Sequence, residues 1–118
     1  MSTPVGPYSP LVRAGDMLVC SGQIGIDKNG KLVPGGVKAQ VAQAIANVAA
    51  VLRQGGAELS DVVKTTVFLT HMSDYGDMNE AYSEAFGGHR PARSAVAVSG
   101  LPLGAMVEVE AWAYLPAR

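Results

Sequence analysis

Apolar residues along this chain follow two rhythms, one of period two and one near 3.6, and the switches between them mark the elements. Leu11 to Ala14 and Met17 to Ile26 are apolar stretches separated by Gly15-Asp16, a pair suited to the positive φ of a tight hairpin, and they predict two strands. Asn29-Gly30 predicts a further turn, and Pro34-Gly35-Gly36 breaks the chain. From there Val37, Val41, Ile45, Val48 and Leu52 recur every three or four positions, while Lys38, Gln43, Asn47 and Arg53 lie elsewhere on the wheel. That is an amphipathic helix, which Gly55-Gly56 ends.

Val62 to Thr70 is rich in β-branched residues, with Val63, Val67 and Leu69 alternating against Lys64, Thr66 and Thr70, and predicts a strand. A second helix is expected over Asp74 to Phe86, capped by Ser73 and carrying the stripe Tyr75, Met78, Tyr82 and Phe86. Gly87-Gly88 stops it. Two closing strands, Arg93 to Ser99 and Met106 to Tyr114, are joined by the turn Leu101-Pro102-Leu103-Gly104. The result is an α+β domain of five or six strands whose two helices cover one face. The last strand describes the other face. Val107, Val109, Ala111 and Ala113 suit contact with helices, whereas Met106, Glu108, Glu110, Trp112 and Tyr114 point the opposite way and argue for burial against another subunit.

Composition supports that picture. A chain of 118 residues fits one domain over 1–118, and 48% hydrophobic against 16% charged residues leaves apolar surface for a partner. The net charge is −1 and the nine Lys and Arg form no run, so nucleic acid is not an expected partner. The single cysteine, Cys20, lies in an apolar run and reads as a buried thiol; no disulfide framework is possible. Neither a signal-peptide core nor a membrane span is present, which makes the cytoplasm the expected compartment. His71 and His89 have no neighbours at metal-ligand spacing and read as surface residues, and the glycines form no phosphate cradle. Neither metal nor cofactor is expected.

Chemistry must then come from ordinary side chains. Glu108 and Glu110 lie on one face of a strand about 7 Å apart, either as solvated or salt-bridged carboxylates or with one serving as a general base. Arg93 follows Pro91-Ala92, and return through the Leu101-Pro102 turn can bring it near Glu108, as a structural ion pair or as half of a site that grips a carboxylate and positions water. Asn79, on the apolar stripe of the second helix, is either a core tie or a site residue. Tyr8, after Gly6-Pro7, is either a terminal anchor or a ring held for binding.

The order of several segments resembles one family along nearly the whole chain: Gly6-Pro7-Tyr8, Ser21-Gly22-Gln23-Ile24, Asp61 to Phe68, Asn79 with Tyr82 and Phe86, Pro91-Ala92-Arg93-Ser94, Leu101-Pro102, and Val107 to Ala111. It is the Rid or YjgF family of reactive intermediate deaminases, also labelled L-PSP endoribonucleases. The resemblance implies a chorismate-mutase-like mixed sheet backed by two helices, a homotrimer with a central barrel, and clefts between subunits. It implies cofactor-free hydrolysis of 2-imino acids or enamines, of the 2-iminobutanoate and 2-iminopropanoate type, to 2-keto acids and ammonia. Carried over, Arg93 binds the substrate carboxylate, Glu108 handles the attacking water, Tyr8 and Asn79 shape the cleft, and Gly22 leaves its backbone against the substrate. Two departures stand out. Ala95 replaces a frequent cysteine but keeps a backbone amide, and the short stretch Gly87-Gly88-His89-Arg90 lacks the aromatic that often precedes Pro-Ala-Arg, which bears on substrate size. Two other functions compete: an endoribonuclease acting on single-stranded RNA, and a non-catalytic trimer that binds small carboxylates through Arg93.

Overall fold

The structure is a computed structural model that describes residues 6–116, so the two ends of the expected 1–118 domain lie outside the described residues. Strands β1 (Leu11–Ala14) and β2 (Met17–Ile24) form the predicted hairpin, turning at Gly15 with φ 62. Helix α1 (Gly36–Gln54) starts on the pair Gly35 and Gly36, whose φ values of 113 and 79 few other residues adopt. A 3-10 turn leads into β3 (Val62–Leu69), and helix α2 (Tyr75–Phe86) crosses over to β4 (Ala92–Ala97). A last 3-10 turn, Pro102–Gly104, precedes β5 (Val107–Tyr114). No helix among the described residues is long and apolar enough to cross a membrane.

The five strands make one mixed sheet in the order β1-β2-β5-β3-β4. β3, α2 and β4 form a crossover unit, so β4 pairs with β3 in parallel, while β5 inserts antiparallel between β2 and β3. This corrects the expectation that the Leu101-Pro102 turn returns β5 beside Arg93: β3 lies between them. Both helices pack on one face, where Val41, Ile45, Val48 and Leu52 of α1 and Met78, Tyr82 and Phe86 of α2 meet Val67, Leu69, Val107 and Val109 of the strands.

Three local expectations also change. Ser73 does not cap α2; it sits inside a 3-10 turn, Met72–Asp74, and α2 begins at Tyr75 with no side-chain cap. Val63 faces out, because the β3–β5 register slips between Val62 and Lys64 and a one-residue slip exchanges the faces of a strand. Thr65, Val67 and Leu69 therefore point to the helices. Asn47 is not a solvated helix residue: its Nδ2 donates to the carbonyls of Ile24 and Ile26 at 3.0 and 2.9 Å, tying α1 to the end of β2. Gln40, buried nearer the start of the same helix, accepts the N–H of Met106 just before β5.

Candidate functional site

Glu108 sits on the face of β5 that no helix covers, between the buried residues Val107 and Val109. Opposite it, the β2–β5 register shifts between Cys20 and Gln23, so Ser21 and Gly22 bulge against β5. The bulge brings Gly22 under the Glu108 side chain. A Cβ at Gly22 would lie 2.6 Å from Glu108 Cδ, so only glycine lets the carboxyl rest there. The sequence reading placed Gly22 against the substrate; in this chain its immediate neighbour is Glu108.

The same bulge fixes Tyr8. Ser21 donates its backbone N–H to Pro10 O at 2.9 Å and its hydroxyl to Ser9 O at 2.7 Å, and Tyr8 N–H closes a tight turn onto Gly6 O at 2.9 Å. Tyr8, Gly22 and Glu108 thereby line one open groove of about 450 Å³, with Val19, Ser21, Pro102, Glu110 and Trp112 as the other walls. Pro102 reaches it through a bend in which Leu103 takes φ 59, a left-handed value rare outside glycine. Half-burial, and then the charge of Glu110, push the Glu108 carboxyl above the ordinary carboxylate range. Cys20 touches this groove too, but it is 1% exposed and its thiol is pushed up to about 12 by burial and then by Glu110, so it holds its proton and is no nucleophile.

Arg93 lies elsewhere. It pairs with Thr65, whose side chain is fully buried under the helices, so Arg93 projects from β4 on the helix face, opposite to Glu108. Along the sheet the two residues are two strands and three positions apart, about 14 Å between Cα atoms. One chain therefore does not join them. The guanidinium is held by aromatics: its Cζ lies 4.9 Å from the Tyr82 ring centroid and 5.6 Å from that of Tyr75, and Nη2 donates to the Tyr75 hydroxyl at 3.1 Å. Tyr82 is fixed in turn by a 2.7 Å hydrogen bond with Thr65 Oγ1. Among the described residues Arg93 has no carboxylate partner, the one ion pair being Lys38 with Glu80.

Ala95, two residues on from Arg93, shares its face and packs against the core. Asn79 lies on α2 between Tyr75 and Tyr82, and its Oδ1 is buried with no hydrogen-bond partner among the described residues. Arg90, in the place of the absent aromatic, closes the end of α2 by donating to Gly87 O, His89 O and Ser83 Oγ. His89 is not a free surface residue, since its Nε2 meets Val62 O at 2.6 Å and its ring lies 6.3 Å from that of Phe86. The candidates thus fall into two groups, Tyr8, Gly22 and Glu108 on the open face of the sheet, and Arg93 and Ala95 on the face that carries the helices, with Asn79 on α2. Pro102 and Trp112, read from the sequence as a turn residue and as part of a partner-facing strand face, also line the groove, and the stripe of Tyr75, Met78 and Tyr82, read as apolar, holds the guanidinium of Arg93. Thr65, a polar residue at a buried strand position, was the signal that Tyr82 had a polar duty.

With this geometry in view, comparison with known proteins is decisive: residues 1–115 match the model of the family described as Endoribonuclease L-PSP. The chain belongs to that family. It is the Rid or YjgF family that the sequence resembles. A RutC family protein of Pyrococcus horikoshii is 48% identical over 112 residues, covering 94% of this chain and 89% of its own. The mouse protein named 2-iminobutanoate/2-iminopropanoate deaminase is 46% identical over 108 residues, 91% of this chain and 80% of its own. The crystal structure of a Thermotoga maritima protein described as a putative endoribonuclease superposes with a TM-score of 0.90 at 46% identity, covering 96% of this chain and 90% of that one. The α+β fold, with its mixed five-stranded sheet and two helices, is that of these family structures.

Proposed function

We propose that this protein hydrolyses 2-imino acids and their enamine tautomers to 2-keto acids and ammonia, without a cofactor, in clefts between the subunits of a homotrimer. The observation that carries the reading is the aromatic-held guanidinium of Arg93, which has no carboxylate partner among the described residues and so is open to an anionic ligand. The name of the mouse relative supports the substrate class.

Arg93 and Glu108 occupy opposite faces of one sheet, so a site using both takes Arg93 from one subunit and Glu108 from its neighbour. Arg93 grips the substrate carboxylate in a bidentate fork and sets the iminium carbon beside a water held by Glu108. Glu108 removes a proton as the water oxygen bonds to that carbon, giving a carbinolamine. The proton returns to the amine nitrogen, the C–N bond breaks, and the hydroxyl passes its proton to the departing ammonia as the carbonyl forms. One water is consumed; one 2-keto acid and one ammonium leave. Tyr8 and Asn79 wall the cleft, and Ala95 offers a backbone amide.

An RNA-cleaving reading is disfavoured by the groove itself, where Glu108 and Glu110 place two carboxylates that would repel a phosphate backbone. The test is the rate of 2-keto acid release when imines are generated by an amino-acid oxidase. Acceleration by the purified protein is the expected result, and no acceleration across several imines would sink the proposal.

A further inference from the structure

We infer that Tyr75 positions Arg93 and donates its own hydroxyl proton to the carboxylate that Arg93 binds, an inference that rests on the function proposed above. A guanidinium at the end of an exposed edge strand ordinarily samples many rotamers, and holding it costs entropy. Here α2 supplies the restraint. Tyr82, locked by Thr65, lies beneath the guanidinium, Met78 Sδ accepts from Nη1 at 3.7 Å, and Tyr75 accepts from Nη2 at 3.1 Å. A phenol is both donor and acceptor, and an oxygen that accepts from a cation turns its own proton away from it. Tyr75 is 40% exposed, so the residue borders ground that a ligand can reach.

Two of the five guanidinium N–H groups are engaged by Tyr75 and Met78, and the others remain for a ligand. A carboxylate with about four lone-pair sites can take a bidentate fork from Arg93 and a third bond from the Tyr75 hydroxyl. An ester or primary amide of the same acid lacks the charge and the second equivalent oxygen that this set of donors matches. Arg93 and Tyr75 together thereby favour free 2-keto and 2-imino acids over their neutral derivatives.

Tyr75→Phe keeps the ring over Arg93 and removes only the hydroxyl. Calorimetric titration with 2-oxobutanoate is expected to show affinity about tenfold weaker, the scale of one hydrogen bond to a charged group. In turnover KM should rise by a similar factor with kcat changed less than about threefold, since the lost contact is to a group that does not react. Tyr75→Ala, which also removes the ring, should lose more. An unchanged 2-oxobutanoate affinity in a folded Tyr75→Phe protein overturns the donor role while leaving the function standing. Wild-type protein that neither binds 2-oxobutanoate nor hydrolyses imines overturns the function and this role with it.

Discussion

A methyl group at position 22 would stand 2.6 Å from Glu108 Cδ and 2.9 Å from Oε2, so Gly22→Ala must push the carboxyl out of its place. We expect turnover to fall by about 10², the scale of an ångström's misplacement of a reacting group, with little change in the unfolding midpoint because the groove is open. Unchanged turnover would show that the carboxyl need not rest over residue 22. The raised pKa of Glu108 sets the sign of a pH dependence for the proposed general base, which works ionised: kcat/KM should fall as pH drops through a value above 4.5. Glu110→Gln removes the second cause of that shift and should move the acid limb to lower pH, while burial, the larger cause, keeps it above the ordinary range. A limb that stays in place would show that Glu110 does not act on Glu108. Arg93, Glu108 and Gly22 were all legible as candidates, through residue type, spacing and resemblance. The contact between Gly22 and Glu108 was not, because it depends on a bulge that periodicity does not announce.

At the scale of elements, strands and helices were legible because each has one apolar face, and period-two and period-3.6 patterns survive in the sequence. The strand order was less so. Connection length invites the hairpin reading of β4 and β5, yet the crossover through α2 makes β4 the parallel neighbour of β3, and β5 enters the gap between β2 and β3. Polar helix residues with structural duties were also misread, since Asn47 looks solvated on a wheel but clamps Ile24 and Ile26 beside the Gly22 bulge. Asn47→Ala should cost about 1–3 kcal/mol in urea unfolding, because two carbonyls lose their donor. A cost within about 0.5 kcal/mol, typical of surface substitutions, would show that water replaces the amide.

For the whole molecule, the sheet face without helices carries Trp112 and Tyr114 at 43% and 50% exposure, beside Val12 and Val96 on its outer strands. Rings of that size left in water argue for a covering partner, and the proposed trimer should appear in light scattering as about three times 12.2 kDa. A clean monomer would remove the shared cleft. The assembly also permits a direct test, because Arg93 and Glu108 cannot serve one site from a single chain. Arg93→Ala and Glu108→Gln proteins should each be nearly inactive. Co-assembled in equal amounts, random mixing gives about one cleft in four an intact Arg93 facing an intact Glu108. The account predicts that imine hydrolysis returns to about a quarter of the wild-type rate in the co-assembled preparation, and a preparation as inactive as its parents would contradict it.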